Sequence, residues 1–506
     1  MSEIELKFGI APAAVAGVER ALVRHGARSV GIESGYWDTP DRRLARADVS
    51  LRLRKAHGRW EQTVKAAGAS PAERLEATVP RRAALAGVAP QPDLSLHAGT
   101  RAGHLVDKAL ARGNGAAAPL ELVHTTRVRR RHLLVDAARS AIEVALDWGE
   151  IEAAGRSMPI CEVEAELKHG DVADLIDFGR RSIDAHALWL STIAKSTRGN
   201  RLASGSVQLA SAVKATRPSF RAHADGSEVF RAAFRSCLEQ VLANASIVAS
   251  GAFDNDVVHQ LRIGLRRMRT LWRELPDWRG TLASTWEAPA AQVFRSLGAY
   301  RDRRTVAAAL RQPLADAGSP EPELRALPAD AAVDPVAVVR SPAFQHALLD
   351  LLAFALARQD SSPRDDAPRA HVAGADDESP RAVTGRHLDK LHRRLARDAK
   401  RFVELSTLER HGVRKRLKRL RYLSELIASL YDKRPVARFL RALEPAQDEL
   451  GHYIDLVVAT RLARDRVDGG DARAWFNVGW LQAKEADAIK RCSAALRDVA
   501  RAAPYW

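Results

Sequence analysis

A basic motif occurs twice in this sequence, and the repeat is the strongest single constraint on the fold. The first copy, HQLRIGLRRMR, runs from His259 to Arg269, and the second, HGVRKRLKRLR, runs from His411 to Arg421. At a shift of 152 residues, the matches include His at the start, Arg at offset 3, Leu at 6, a cation at 7, Arg at 8, an apolar residue at 9 and Arg at 10. Further along, LGAYRD begins at Leu297 and LGHYID begins at Leu450. Because both pairs recur at nearly the same spacing, the sequence predicts an internal duplication of a helical unit.

Each copy of the motif places its cations on one face of a helix. At about 100° per residue, offsets of 0, 3, 7 and 10 fall within roughly an 80° arc. Apolar residues occupy the neighbouring stripe, which predicts amphipathic bundle helices. Like charges without acidic partners repel one another, so we interpret these faces as anion-binding surfaces; the alternative is a solvated basic face. The faces carry His259, Arg262, Arg266 and Arg269, and His411, Arg414, Lys418 and Arg421.

Charged residues before about position 203 follow a different rule, since they fall at alternate positions. Glu3, Glu5 and Lys7 alternate with apolar residues, which predicts a strand with one charged face. For any single pair, an ordinary antiparallel sheet with its charged side in water is the simpler account. Over the whole region, however, acids pair with acids near both ends and bases with bases in the middle. If the sheet closes into a barrel, the acids form a metal cluster and the bases line a phosphate site.

The residue types in this pattern suit phosphoanhydride chemistry. Mg²⁺ or Mn²⁺ prefers carboxylate oxygens, so Glu3, Glu5, Glu162 and Glu164 could hold such an ion. Arginine meets phosphate as a bidentate fork and lysine as a compact charge. Hydrolysis then needs a placed water and neutralisation of the developing charge, and no covalent nucleophile is required.

Composition limits the class of protein and its partners. The chain has 506 residues and a formal net charge of +17, with most of the basic excess beyond residue 200, which favours a polyanionic partner. No apolar run approaches the roughly 18–20 residues that cross a bilayer, so no membrane association is expected. The three cysteines are widely separated, which excludes a disulfide framework and a clustered zinc site. These features predict a cytoplasmic protein.

The change of pattern divides the chain into domains. We predict a first domain over residues 1–203, a linker over 204–220 and a helical domain over 221–506. Within the helical domain, the repeats cover about 221–358 and 382–506. Gln359–Arg381 is rich in Pro, Ser, Gly and Asp and predicts a mobile linker between them.

The first domain resembles the CYTH family, whose fold is the triphosphate tunnel. Glu3-x-Glu5-x-Lys7 is followed in the family's order by YWDTP at 36–40, LRLR at 51–54, TVK at 63–65, RLE at 74–76, LD at 146–147 and CEVEAE at 161–166. The resemblance implies an α+β domain with an eight-stranded antiparallel β-barrel whose tunnel binds triphosphate and Mg²⁺ or Mn²⁺. It implies metal-side carboxylates at Glu3, Glu5, Asp147, Glu162 and Glu164, and phosphate contacts at Lys7, Arg52, Arg54, Lys65, Arg74, Arg127, Arg129 and Lys195.

Two of these assignments have alternatives. Strand parity allows Arg127 and Arg129 together, whereas a shift of one residue would substitute Arg130. Lys195 lies in an element that resembles the family's late Ser-Lys element, but its spacing also fits a surface lysine at a helix terminus.

The helical domain resembles the CHAD family, which often follows a CYTH domain in bacteria. The duplicated basic motif and the LG elements carry this resemblance over about residues 221–506. It implies an all-α domain of two duplicated helical bundles, with a basic groove that binds inorganic polyphosphate.

The expected function is therefore metal-dependent hydrolysis of inorganic triphosphate to diphosphate and phosphate, with polyphosphate bound by the helical domain. An association with polyphosphate granules would follow from that binding. Nucleotide or thiamine triphosphatase, adenylate cyclase and a non-catalytic granule scaffold are the alternatives. A nucleic-acid binder is disfavoured, because the basic helices carry few aromatic residues for stacking on bases.

Overall fold

The structure is a computed structural model. In this structure the chain forms two compact units. The first comprises Met1–Val213, Val241–Val257 and Val339–Arg358, and the second Lys214–Gln240, Val258–Val338 and Gln359–Trp506. An antiparallel sheet dominates the N-terminal part and helices form the C-terminal part, as predicted. The structure describes residues 2–68, 73–82, 90–111, 119–137, 139–206, 210–221, 223–280, 284–324, 333–357 and 378–506, with the backbone alone for residues 2, 3, 67, 73, 74 and 299–305.

In the part of the first unit that the structure describes, nine strands form the sheet, in the order β5-β4-β3-β2-β6-β7-β8-β1-β9. Strand β1 also pairs with β5, with Glu3 opposite Arg74. The sequence predicts eight strands, and the ninth has only two residues, too few for an alternating pattern to reveal. The strands are β1 Ser2–Gly9, β2 Arg28–Asp38, β3 Val49–Ala56, β4 Arg59–Ala67, β5 Glu73–Arg81, β6 Glu121–Ala137, β7 Ser140–Ala153, β8 Arg156–His169 and β9 Trp189–Leu190.

Fourteen α-helices are present among the described residues. No helix among them is both long and apolar enough to span a lipid bilayer. The helices are α1 Val15–Arg24, α2 Arg43–Arg46, α3 Arg101–Leu110, α4 Val172–His186, α5 Lys195–Ala203, α6 Gly226–Ser250, α7 Asn255–Glu274, α8 Glu287–Asp316, α9 Pro335–Arg340, α10 Pro342–Leu356, α11 Pro380–Lys400, α12 Thr407–Leu426, α13 Lys433–Asp468 and α14 Ala474–Arg501.

Alternation along β3 and β4 separates an apolar face from a charged one. Leu51 and Val64 are fully buried, and they pack in one cluster with Leu44 of α2 and Val106 of α3. Burying each such side chain contributes roughly 1.5–3 kcal/mol. The arginines and lysine between these positions point to the opposite face, as β-strand geometry requires. The covered apolar face thus fixes which side of the sheet carries the charges.

A buried carboxylate fixes the chain where β2 ends. Asp38, only 3% exposed, accepts hydrogen bonds from the backbone N–H groups of Thr39 at 2.7 Å, Leu44 at 2.9 Å and Ala45 at 3.0 Å. Helix α2 has no side-chain cap of its own. Asp38 therefore supplies the acceptors that the start of this short helix lacks.

The two motif helices of the second unit bury the predicted apolar stripes. Leu261 and Leu265 of α7 and Val413 and Leu417 of α12 are all fully buried. Helix α12 begins with a capping box, in which Ser406 and Glu409 exchange side-chain and backbone hydrogen bonds. The amphipathic helices expected from the motif are confirmed. The internal duplication stays a prediction.

The predicted linker from Gln359 to Arg381 overlaps the start of α11. Residues 359–377 lie outside the described residues. Pro380 and Arg381 are helical, because the Ser379 side chain accepts a hydrogen bond from the backbone N–H of Ala382 and proline suits the first helical position. The linker prediction is therefore wrong for these two residues.

Replacing Asp38 with alanine should lower the free energy of unfolding of the first unit by about 3 kcal/mol, because three backbone donors lose their charged acceptor. Urea denaturation measures this change. Asp41→Ala is the matched control, since Asp41 is exposed and its carboxylate pairs with Arg43 and Arg46 rather than with the three backbone donors. Equal stability of the two variants would contradict the role of Asp38.

Candidate active site and basic groove

A charged cavity of about 250 Å³ lies in the first unit. Strands β1, β3, β4 and β8 and the start of α5 contribute to its wall. Sequence-predicted residues from all five elements meet there, although they are far apart in the chain. These residues are Glu5, Lys7, Arg52, Lys65, Glu162, Glu164 and Lys195.

Three carboxylates converge at this site. Asp147 on β7 lies opposite Glu162 on β8, and Glu164 is two residues further along the same face. One oxygen of each lies within 4.8 Å of the others. Asp147 is 1% exposed and Glu162 is 3% exposed. Three buried negative charges at this spacing repel one another strongly, so the cluster needs a cation.

Three basic side chains supply positive charge to the carboxylates, and one of them, Arg198, donates to Glu162 Oε2 at 3.2 Å. The Lys195 ammonium lies 2.8 Å from Asp147 Oδ2 and 2.9 Å from Glu164 Oε1, and it also contacts Glu162. Arg130 donates from Nε to Asp147 Oδ1 at 2.6 Å and from Nη2 to Glu164 Oε2 at 2.5 Å. Although burial opposes ionisation, Lys195 and Arg130 hold the pKa of Glu164 well below its ordinary value. Burial disfavours the charged form of Lys195, but the carboxylates of Asp147, Glu162 and Glu164 together raise its pKa.

The donor set fits a small divalent metal ion. Asp147, Glu162 and Glu164 offer hard oxygens, and the Lys195 ammonium already stands among them as a substitute cation. Glu5 lines the same cavity but is not among these three grouped carboxylates. The side chain of Glu3 lies outside the described residues, as does that of Arg74. These observations favour Mg²⁺ or Mn²⁺ without deciding between them.

Glu5 and Lys7 on β1 are buried charges whose titration is shifted. Burial and the neighbouring Glu164 carboxylate raise the pKa of Glu5 to about 7. Burial and the nearby Lys195 ammonium lower the pKa of Lys7. The Lys7 ammonium also donates to the carbonyl oxygen of Ile193 at 2.5 Å, which fixes its position beside the segment before Lys195.

Arg52 and Arg54 are adjacent on the charged face of β3. The Nε atom of each has no hydrogen-bond partner among the described residues. The Arg52 charge and burial together lower the pKa of Arg54 to about 10. Two crowded guanidinium groups with unused donors form a suitable surface for phosphate oxygens.

Arg127 and Arg129 do not face the cavity, and Arg130 does. The Arg127 side chain is 62% exposed and pairs with Glu152 at 3.1 Å on the surface, and Arg129 is also exposed. Arg130 has the opposite strand parity and reaches Asp147. Because arginines occupy three successive positions from 129 to 131, the sequence shows no alternation there from which parity could be read.

Lys195 is not a surface residue. It is the first residue of α5, and its side chain is only 14% exposed. The alternative that it is an exposed helix-terminal lysine is therefore wrong.

A basic groove of about 1,940 Å³ lies in the second unit. Helices α7 and α12 supply the eight predicted residues, and all of these line it: His259, Arg262, Arg266, Arg269, His411, Arg414, Lys418 and Arg421. The helical spacing thus correctly predicted a shared surface.

Crowding of cations changes the titration of one lysine in the groove. Burial, followed by the charges of Arg414, Arg266 and Arg421, lowers the pKa of Lys418 to about 8. Besides burial, cations from both motif helices thus act on Lys418. An anion in the groove would relieve this repulsion.

Aromatic and polar side chains that the sequence analysis missed hold these cations. The guanidinium groups of Arg262 and Arg266 lie 4.9 Å and 5.1 Å from the ring centre of Phe294 on α8. Gln447 on α13 accepts a hydrogen bond from Arg421 at 2.6 Å. Neither residue belongs to the repeated motif, and no spacing in the sequence points to them.

Comparison with known proteins assigns both parts of the chain. Residues 1–199 match the CYTH domain family, and residues 232–464 match the CHAD domain family. An inorganic triphosphatase from Haemophilus influenzae is 29% identical over 221 residues, which are 40% of this chain and 56% of that protein. The chain thus spans just over half the length of this curated relative.

Solved structures with similarity include one for each part. The CHAD domain from the plant Ricinus communis is 24% identical, with a TM-score of 0.45, over 58% of this chain and 98% of that one. A candidate adenylyl cyclase from Hippeastrum, described as having a dominant triphosphatase activity, is 15% identical with a TM-score of 0.28, over 40% of this chain and 97% of that one. The family matches, taken with the charged cavity and the basic groove, show that the chain combines a CYTH domain over residues 1–199 with a CHAD domain over residues 232–464.

Proposed function

We propose that the cavity of the first unit hydrolyses inorganic triphosphate to diphosphate and phosphate with the help of a divalent metal ion. The observation that carries the proposal is the cluster of the Asp147, Glu162 and Glu164 carboxylates, since Glu162 and Glu164 line one cavity together with Lys7, Arg52 and Lys65. Acids that hold a metal and bases that hold phosphate are the two requirements of this reaction. The name of the Haemophilus relative supports the same substrate.

A tunnel would suit this substrate, which is a narrow polyanion. Strand β1 pairs with β8 along most of its length and with β5 over three residue pairs. The second pairing supports closure of the eight longer strands around the cavity, as in a barrel. Closure would exclude bulk water and strengthen each charge interaction inside.

The chain's own cations bind and orient the triphosphate. Arg52 and Arg54 offer paired donors to phosphate oxygens, and Lys7 and Lys65 offer compact charges. Lys195 lines the same cavity and offers a further charge to a phosphate oxygen. Asp147, Glu162 and Glu164 would hold a divalent metal ion, which would withdraw negative charge from the phosphate oxygens.

Hydrolysis then needs only a correctly placed water molecule. Its oxygen attacks the terminal phosphorus, and the bond from that phosphorus to the bridging oxygen breaks. Diphosphate leaves with the electron pair, and the water's proton passes to solvent. No side chain forms a covalent bond in this sequence of events.

We further propose that the groove of the second unit binds inorganic polyphosphate. Its eight motif residues, six of them Arg or Lys, lie on two helices, and burial together with the charges of Arg414, Arg266 and Arg421 lowers the pKa of Lys418. A flexible chain of closely spaced negative charges can follow such a groove, whereas a duplex is too wide to follow it in the same way.

Tripolyphosphate should release phosphate faster than ATP or thiamine triphosphate when each is mixed with the full chain and Mg²⁺ or Mn²⁺. Glu164→Gln should lower that rate about 100-fold or more, because it removes charge from the proposed metal ligands. Phosphate release measures both effects. Glu150→Gln is the matched control, since Glu150 lies on the surface near Arg127. Undiminished turnover by Glu164→Gln, or ATP cleavage to a cyclic product, would contradict the proposal.

The groove should lose polyphosphate when Arg262, Arg266, Arg414 and Lys418 are changed together to glutamate. Each lost charge contact is worth about 1.5–3 kcal/mol, so affinity should fall by about 1,000-fold or more. The affinity of the wild-type protein for polyphosphate should also fall steeply with added salt. At the same salt concentration it should exceed the affinity for duplex DNA. Fluorescence anisotropy with labelled polyphosphate measures binding. A control variant carries the same substitutions at four exposed cations of α13 that do not line the groove: Lys433, Arg434, Arg438 and Arg441. Tight binding by the groove variant would overturn the assigned surface.

Polyphosphate affinity should decline as pH rises from 7 to 9. Lys418 carries its charge below its pKa of about 8 and loses it above that value. Beyond pH 8, affinity falls by up to about tenfold per unit if binding requires that proton. Lys418→Arg keeps the charge throughout this range, so its affinity should change less with pH. Parallel pH profiles for the two proteins, measured by isothermal titration, would contradict this role of Lys418.

A further inference from the structure

Two segments from the CHAD-matched range belong to the same compact unit as the sheet. They are Val241–Val257 and Val339–Arg358, both inside residues 232–464. The first contains the end of α6, and the second contains α10. The unit that carries the charged cavity is therefore larger than the CYTH-matched range.

Helix α10 packs on the CYTH part through apolar and charged contacts. Eight of its fifteen residues are buried. At Gly179 of α4, an added Cβ atom would lie 3.1 Å from Leu6, 3.2 Å from Phe8 and 3.4 Å from Leu349. A Cβ atom there would be tighter than most real Cβ contacts, so glycine suits this close approach. Arg180 forms an ion pair with Asp350 one residue further along α4. These contacts place α10 against α4, near the point where Leu6 and Phe8 of β1 also approach that helix.

Side chains from the two segments complete the short edge strand β9. The backbone N–H of Leu190 donates to Oε1 of Gln345 at 2.8 Å, and Gln345 is fully buried. The other side of β9 pairs with β1, where Leu190 lies opposite Phe8. The Arg340 guanidinium lies 3.5 Å from the ring centre of Trp189 and donates to the Ala249 carbonyl oxygen at 2.8 Å. A two-residue strand has little stability of its own, so these contacts hold it in place.

The next residues continue the same arrangement up to the cavity. The Thr192 backbone N–H donates to Oγ of Ser246 at 3.0 Å, and Ser246 is 1% exposed. The Ser191 N–H donates to the Lys7 carbonyl oxygen at 2.8 Å, and the Lys7 ammonium donates to Ile193. Lys195 follows two residues after Ile193. Between β9 and α5 the chain has no regular structure, so these few hydrogen bonds position the backbone that leads to Lys195 and the carbonyl group that accepts from the Lys7 ammonium.

We infer that Ser246 and Gln345 are positioning residues for the triphosphate site, acting through the segment 189–194 on Lys7 and Lys195. This inference rests on the proposed function of the cavity. The CHAD-matched part of the chain thereby contributes to substrate binding in the CYTH-matched part, without touching the substrate. Misplacement of a binding group by 1 Å can cost about 100-fold, so the loss of one fixed hydrogen bond should be measurable.

Ser246→Ala in the full chain should weaken tripolyphosphate binding by about tenfold, measured by isothermal titration in EDTA, where turnover is prevented. Amide hydrogen exchange should rise over residues 189–194. Ser250→Ala is the matched control, because Ser250 lies on the same helix and its hydroxyl bonds to the backbone at Ile247 and Ala252, not to the segment. Gln345→Met keeps a similar side-chain volume, and it should also weaken tripolyphosphate binding and raise amide hydrogen exchange over residues 189–194.

A double-mutant cycle separates positioning from a general structural effect. In a Lys195→Met background, Ser246→Ala should weaken binding much less than in the wild type, because part of its effect passes through Lys195. Equal weakening in both backgrounds, or unchanged binding and exchange in Ser246→Ala, would overturn the positioning role. Failure of the wild-type protein to bind tripolyphosphate would instead overturn the proposed function of the cavity.

Discussion

Charge compensation at three buried carboxylates is the interaction on which the first unit depends. Asp147, Glu162 and Glu164 would repel one another without the Lys195 ammonium, which contacts all three. That ammonium reaches them only because α5 begins at Lys195. The start of α5 in turn follows β9, whose place beside β1 is held by buried side chains from helices α6 and α10. Local charge balance therefore links elements from distant parts of the chain.

Periodicity in the sequence predicted the parts of this site that lie on regular strands. Glu5, Lys7, Arg52, Lys65, Glu162 and Glu164 alternate with apolar residues, and all line the cavity. Alternation failed at residues 129–131, where every position is arginine and either parity is possible. It also could not detect β9, or the contributions of Ser246 and Gln345, because those depend on contacts between segments without a shared pattern.

The residues that line the basic groove were easier to predict than Ser246 and Gln345, which hold the segment beside the cavity, and the reason is physical. Helical spacing converts directly into a shared face, and all eight motif residues selected by that spacing line the groove. The residues that contact the groove arginines show no such regular spacing in the sequence. Phe294 and Gln447 lie on other helices, and whether a ring or an amide meets an arginine there depends on how the helices pack.

The long sequence separation of the contacts around β9 has a consequence for synthesis on the ribosome. Leu190 and its acceptor on Gln345 are 155 residues apart, with the beginning of the helical domain between them. Because domains often begin to fold while the chain is still being made, the sheet must wait for α10 to emerge before its edge can be completed. Until then, the apolar surface that α10 covers is exposed, and closing so long a loop slows the final step. A nascent chain of this protein is therefore a natural client for a chaperone that shields apolar surface.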